Sequence, residues 1–592
     1  MARESRPLRP RRPAVVVLLT LALAGALALS GCATIPTGGS VHQGRDLAQE
    51  PEAQLPRSLG RDPAPGDGPE AIVRGFLQSG ADFLDDHKFA REYLAPAVRA
   101  RWNPSKGTSI YDRTQGLSVV VEPGSLSTLV TSTEVARIDA DGRYHRVPEQ
   151  TVTRLFGLTR VDGSWRINTL DNGLLLSSSD VDTAYRQLNL YFLAPTSHTV
   201  VPDPVLLPDL PGLTSKLMTR LLQGPTEPLR GAVETAFPQG TKLEVGSVPV
   251  RNGLATVRLD AGALRGDSEA RVGMSAQIVW TLRQLRDIQR IRILADGDDL
   301  VTSGVPREQP TSAWASFDPA GLAPTASLFV VRDGRVGVLS GKTFTPVRGA
   351  AGTVRTNPDR ALRHPAISLD SNRIAVTNEN GTELYVGALA TDAPLQVVPL
   401  EAGAIVSFSS WDSSGDLWFV DRSTNRLLMF GGSDSRLSTV PVPKLSAGPL
   451  QFVRVSREGT RIAFAAGSGD ASRFFLGSIV RGPSGNVQTI SGVHEVLPDV
   501  LGVRNIAWID ADTLIVVGHR SKQAPVAWRT DTDGLKVDDA IDPLRGIAAM
   551  VGAPTDSKLP LVASTDAGQL QQWNPSLGWQ PLGVGRDPVY PG

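Results

Sequence analysis

The chain has almost no cysteine. One residue, Cys32, stands in 592, so no intrachain disulfide can form. A single cysteine in an exported protein of this size points to a specific use. Charge of one sign is not in excess either: Lys plus Arg number 60 and Asp plus Glu 60. That balance argues against a general nucleic-acid binder, which needs a basic surplus or stripe. The usual local signatures of catalysis are missing as well. His494-Glu495 has no second histidine four residues on, so there is no zinc-protease motif. There is no Gly-x-Ser-x-Gly elbow, no phosphate-binding loop and no clean Gly-x-Gly-x-x-Gly turn. The seven histidines, His42, His87, His145, His198, His364, His494 and His519, are scattered along the chain. Asp296, Asp298 and Asp299 lack the spacing of a calcium loop and read as a solvated turn, and Asp139 and Asp141 read as hairpin chemistry. No catalytic residue, cofactor or metal is expected.

What is present begins at the N-terminus. Arg3, Arg6, Arg9, Arg11 and Arg12 precede sixteen uncharged residues, Ala14 to Leu29, and Leu29-Ser30-Gly31-Cys32 closes the run. A basic start, an apolar stretch short for a membrane span and small residues at its end make a signal peptide over 1–31. A cysteine at the cut resembles the lipobox of bacterial lipoproteins. Cleavage is then expected between Gly31 and Cys32, with a diacylglycerol thioether on the sulfur, and the state of the new amine, free or acylated (palmitate), is left open. Two acyl chains hold a protein stably at about 0.8 kcal/mol per buried CH₂. Residues 32–68, poor in large apolar side chains, are expected to be a disordered tether reaching roughly 35 Å.

The length allows three to five domains, 41% hydrophobic residues allow real cores, and 58 Gly with 44 Pro imply many turns and short strands. Ile72, Val73, Phe76, Leu77, Ala81 and Leu84 recur at helical spacing after Gly68-Pro69-Glu70. A shorter helix around Phe89 to Leu94 follows. Strands are then expected over 117–121, 127–138, 144–158 and 164–170, with Asp141-Gly142 and Asp162-Gly163 as hairpin turns. Helices before a sheet, over 69–187, resemble the NTF2-like α+β cone.

Residues 188–305 carry strand, helix, hairpin, helix and strand signals in turn, with Thr214 a candidate helix cap and Asn252-Gly253 a hairpin turn. The strings Leu221-Leu222-Gln223-Gly224-Pro225-Thr226, Thr235-Ala236-Phe237-Pro238-Gln239-Gly240-Thr241, Asn252 to Leu259 and Gln277-Ile278-Val279-Trp280-Thr281-Leu282 are similar to the GerMN domain of spore-germination and cell-envelope proteins. That family supplies no catalytic residues.

Residues 306–592 repeat. Strand cores start at Leu328, Ile374, Leu417, Ile462, Leu514 and Leu561, spaced 46, 43, 45, 52 and 47 residues apart. That period is that of a β-propeller blade. Six blades are expected, with seven possible. Either Trp314–Pro319 or the tail Gly585–Tyr590 supplies an inner strand. Trp411, Trp418, Phe452, Phe464 and Trp508 read as core packing.

The whole order, lipobox, tether, α+β domain, GerMN domain and propeller, resembles the actinobacterial LpqB lipoprotein family. The resemblance implies a non-enzymatic accessory role on the outer face of the plasma membrane, anchored in lipid through Cys32. It also implies contact with the extracellular domain of a sensor histidine kinase like MtrB, and a part in envelope homeostasis and division. The contact residues are unassigned. The alternatives are an envelope enzyme or carrier acting on wall polymers, and a structural spacer.

Overall fold

A computed structural model describes residues 60–592, apart from short segments at 198, 301–304, 354–357, 432–434, 521–523, 539–543, 545 and 555–556. The signal sequence, Gly31, Cys32, His42, His198 and the tether up to residue 59 lie outside the described residues. Among the described residues no helix is long and apolar enough to cross a membrane.

Pro69 opens helix α1 (Pro69–Ser79), where its missing N–H removes no helical bond. Ile72, Val73, Phe76 and Leu77 are buried, as their spacing requires. Gly75 lies so close to the Tyr93 ring that a Cβ would come within 2.4 Å of it. α1 packs on a sheet of β1 (Thr108–Tyr111), β2 (Leu117–Val121), β3 (Ser127–Ile138), β4 (Tyr144–Val161), β5 (Ser164–Thr169) and β6 (Leu174–Ser177). The strand order is β5-β4-β3-β1-β6, with β2 paired to β3. Alternation along the strands sends Val119, Val130 and Phe156 into the core beneath α1. Asp162 and Gly163 take φ of 49° and 83°, the positive values a type I′ hairpin turn needs.

The second unit starts with a ribbon of β7 (Tyr185–Leu193) and β8 (Val200–Pro208). Helix α2 (Leu213–Leu222) follows. Its N-cap is Gly212 with no side-chain bond, so Thr214 is not the cap but sits buried inside the first turn. β9 (Val250–Arg251), β10 (Leu254–Leu259), β11 (Arg290–Ala295), β12 (Asp298–Asp299) and β13 (Glu308–Pro310) form one sheet. β10 and β11 run parallel, which demands a crossover, and α3 (Ser268–Leu282) provides it. Asp267 caps α3 through the Ala270 N–H at 2.8 Å. Residues Gly273 to Leu282 of α3 are all buried, because sheet and ribbon cover it from different sides. Polar side chains of α3, with Gln284 just beyond its end, satisfy the outer edge of β7. Gln284 Oε1 accepts from Asn189 N at 2.9 Å, Thr281 Oγ1 from Tyr191 N at 3.2 Å, and Gln277 Nε2 donates to Tyr191 O at 2.9 Å.

The remainder is six four-stranded antiparallel sheets. The six repeated cores found in sequence are the second strand of each blade. Inner strands precede them in five blades: Leu362–Ile367, Ser410–Trp411, Leu450–Val455, Leu501–Trp508 and Ile547–Val551. In the first blade the inner strand is the tail, Arg586–Val589, paired with Leu328–Arg332. The ring therefore closes by joining its two ends, which hides an edge that would otherwise be open. Trp314 is no strand residue: it has φ 65° and precedes a short 3-10 turn, Ala315–Phe317. Its indole N–H bonds Gln309 Oε1 at 2.7 Å and its carbonyl accepts from Trp280 Nε1 at 3.0 Å, which ties it to the second unit.

Candidate functional site

One end of the propeller is occupied by the two folded units that precede it, residues 60–300. The loops between first and second strands, and between third and fourth, meet the β7–β8 ribbon. Asn189 Nδ2 donates to Asp512 Oδ2 at 2.7 Å, and Gln187 Nε2 to Asp531 Oδ2 at 2.7 Å and Asp533 Oδ2 at 3.1 Å. Arg461, buried in blade four, bonds Glu458 at 2.8 Å, the Pro202 carbonyl at 3.4 Å and the Ala511 carbonyl. Gly492 (φ 58°) lets Pro228 lie directly on blade four, since a Cβ there would meet the Pro228 carbonyl at 2.5 Å. The N-terminal sheet joins this contact: Leu206 N donates to Gly142 O at 2.8 Å, Arg220 Nε to Asp141 O at 2.6 Å, and Arg146 pairs with Asp499 at 3.6 Å.

Charge at this interface is tuned by burial. Desolvation raises the Asp533 carboxyl well above its ordinary range, with Asp531 beside it adding repulsion, and Asp531 is raised too. Burial pushes His494 down to about 3, so it is neutral. The channel along the ring axis is stoppered at the same end. Arg457 donates to the carbonyls of Ile509, Trp508 and Gly552 at 3.1, 3.2 and 3.4 Å, and Gly592 N bonds Ile367 O at 3.0 Å against it.

Among the described residues the opposite end is open. There a mouth of about 450 Å³ is formed by the starts of inner strands and by second-to-third-strand loops, among them Phe408, Phe452, Gly469–Ser472 and Gly502–Arg504. His364, Phe408 and Phe452 form a ladder of rings with centroids 4.5 and 5.2 Å apart. His364 has φ 49° in a bulge of its strand, its N–H donating to Asp587 Oδ2 at 3.1 Å, and burial lowers its ring to about 4. Asp587 is clamped by Arg363 at 2.8 Å. Arg454 lines the throat beneath the mouth, 5.2 Å over the Phe408 ring.

A second exposed feature is on the N-terminal sheet, on the face away from α1. Val120 pairs with Leu129, and Leu129 with Leu155, so the three form a row across β2, β3 and β4. Val120 is 53% exposed, Leu155 50%, and Leu126 in the adjoining hairpin 61%. Scattered exposed apolar residues are ordinary, whereas these lie side by side across three strands.

Three family models match in the order of the folded units. They are the N-terminal domain of lipoprotein LpqB at 62–182, a sporulation and spore-germination (Germane) domain at 189–301, and the LpqB beta-propeller domain at 334–591. The chain is 32% identical to lipoprotein LpqB of Thermobifida fusca, over 96% of this chain and 97% of that one. It belongs to the LpqB lipoprotein family. LpqB of Streptomyces avermitilis is 28% identical over 96% of this chain and 97% of its own. Among solved structures, virginiamycin B lyase from Staphylococcus aureus is similar at 12% identity, over 44% of this chain and 85% of that one, with a TM-score of 0.31, too low to carry an argument.

In this LpqB-family chain the residues singled out in the sequence fall as follows. Cys32 and Gly31 are outside the described residues. Asp299 is bound by Arg292 at 2.6 Å and Arg307 at 3.2 Å, and Asp296-Gly297 form the turn. Asp141 does more than turn a hairpin, since its carbonyl docks Arg220. Trp411, Trp418, Phe452, Phe464 and Trp508 are all buried as core, and in addition Phe452 borders the mouth and Trp411 and Trp508 the channel. Among the described residues the histidines stay apart, except that His145 and His494 come near each other across the interface. No group of three or more metal-ligating side chains gathers among the described residues. Sequence reasoning missed Arg454, Phe408, Arg422 and Arg504, although a charge inside Phe452-Val453-Arg454-Val455 is a legible oddity.

Proposed function

We propose that this protein is held on the outer face of the plasma membrane through lipid on Cys32. There it binds the extracellular domain of a sensor histidine kinase of the MtrB kind, modulates its signalling and so supports envelope homeostasis and division. The observation that supports a protein partner is the apolar row Val120–Leu129–Leu155 with Leu126, of which Val120, Leu155 and Leu126 are exposed among the described residues. Membership of the LpqB family supports the choice of partner and of anchor. Anchoring raises the local concentration of this surface near other membrane ectodomains, so micromolar affinity, roughly −8 kcal/mol, is enough for a regulator. Binding changes signalling only if it distinguishes the kinase's active and inactive states.

The test is photo-cross-linking in intact cells from Val120 and Leu155, with kinase and regulator phosphorylation followed in parallel. The expected result is capture of the kinase from both positions, and loss of capture in a Val120→Asp, Leu155→Asp variant. Regulator phosphorylation should shift with no change in kinase abundance. Unchanged regulator phosphorylation in a deletion strain would overturn the reading. For the anchor, Cys32→Ser should abolish incorporation of labelled fatty acid, and labelling at the wild-type level would refute it.

A further inference from the structure

Arg454 is unlike Arg457 and Arg461, the buried arginines of its blade. A guanidinium has five N–H donors. Arg454 uses one of them on the protein, to the Ser409 carbonyl at 2.8 Å. It has no ion pair among the described residues. Asp587, the acid whose field it feels, is already taken by Arg363 at 2.8 Å and by the His364 N–H at 3.1 Å. It is half-buried and lines the channel. Protein surrounds it otherwise, and desolvation pushes it down to about 10, so it is still a cation at neutral pH. An under-partnered charge in such a place favours an anion that brings its own acceptors.

The walls above it agree. Arg422 and Arg504 stand on the rim, exposed, without an ion pair among the described residues. The rim acid, Asp470, has His519 at 3.8 Å. The Phe408 and Phe452 rings offer a flat apolar side wall. His364 is neutral, and its second ring nitrogen makes no hydrogen bond among the described residues. The mouth, about 450 Å³, accommodates the body of a sugar acid or a capped dipeptide, and it shares His364 and Phe408 with the narrower channel of about 60 Å³ below, which Arg454 lines.

We propose that the open mouth of the propeller is a binding site for a small carboxylate-bearing ligand. Its carboxylate meets Arg454 in the throat, with Arg422 and Arg504 drawing it in, and its ring or apolar body lies on Phe408 and Phe452. The carboxylate can belong to a sugar acid or to a peptide C-terminus, and the two sources separate by experiment. This site is independent of the contact surface on the N-terminal sheet.

The test is calorimetric titration of the full-length chain with glucuronate against glucose, and with hippurate against neutral hippuramide. Binding of at least one acid is expected, with its neutral counterpart roughly tenfold weaker or more, as fits a charge-assisted hydrogen bond. Glucuronate alone points to sugar acids, hippurate alone to peptide termini, and either supports the site. Arg454→Gln should weaken binding about tenfold. Should that variant unfold, the exposed pair Arg422→Ala, Arg504→Ala carries the decision, with severalfold weaker binding expected. No binding of either acid up to about 10 mM, equal binding of acid and neutral forms, or affinity unchanged in the folded variants would overturn the proposal.

Discussion

Arg454, Arg457 and Arg461 stand within one strand-turn-strand of blade four, yet the two ends of the propeller use them differently. At the docked end, Arg457 holds three carbonyls and Arg461 holds Glu458 and two carbonyls. At the open end, Arg454 holds one. Both ends are made by the same repeat, so the contrast does not come from fold. Buried charge with its partners inside the chain cements units together, and buried charge without them is available to something else.

The largest expected effect breaks the frame on which both ends depend. Deleting Gly585 to Gly592 removes the inner strand of the first blade and the stopper beside Arg457. The propeller transition should then fall by roughly 10 °C or more, or vanish, in a thermal scan. An unchanged transition would mean that the tail does not close the ring.

Next in size is the docked end. Arg461→Ala leaves Glu458 buried without its cation and should cost about 3–5 kcal/mol. Denaturant unfolding measures it, and adding Glu458→Gln should recover part of the loss. The same substitution class at Arg454 should be far milder, because fewer bonds are lost there. Equal costs at the two positions would erase the distinction between the ends.

A smaller effect carries a sign. The folded state holds the Asp533 proton more tightly than the unfolded chain, whose aspartates titrate near 3.8. Stability from this group is therefore fullest below that value and declines as pH rises through the raised folded value. Asp533→Asn keeps the Gln187 contact without the repulsion from Asp531. It should melt a few degrees higher than wild type at pH 7.5 and show a flatter pH profile. A lower melting point at neutral pH would mean that the ionised carboxylate is favourable at this interface.

The parts of this architecture legible in the sequence are those that repeat or have a local period. The blade cores show because the second strand of every blade is buried on both faces, giving strings such as Ile462-Ala463-Phe464. α1 shows through Ile72, Val73, Phe76 and Leu77. Ring closure did not show, because Trp314–Pro319 and the tail both carry short strand-like strings and only long-range pairing separates them. Thr214 misled because a threonine at a helix start resembles a cap, while Gly212 is the residue in the left-handed conformation there. In Val119-Val120-Val121 the outward residue cannot be told from a run without gaps, so the exposed row stayed hidden. The mouth is assembled from segments far apart in the chain, His364, Phe408, Phe452 and Arg504, and no local motif can contain it.

The difference between the two ends is tested most directly by amide hydrogen exchange on the intact protein. Ser456–Thr460, Ile509–Asp512 and Thr532–Lys536 lie between strands at the docked end, and Arg422–Asn425 and Gly467–Ser472 lie between strands at the open end. If docking consumes one end and leaves the other free, the first set should exchange at least tenfold more slowly than the second, and Arg461→Ala should speed the first set alone. Equal exchange in the two sets, or acceleration of both by Arg461→Ala, would contradict the account.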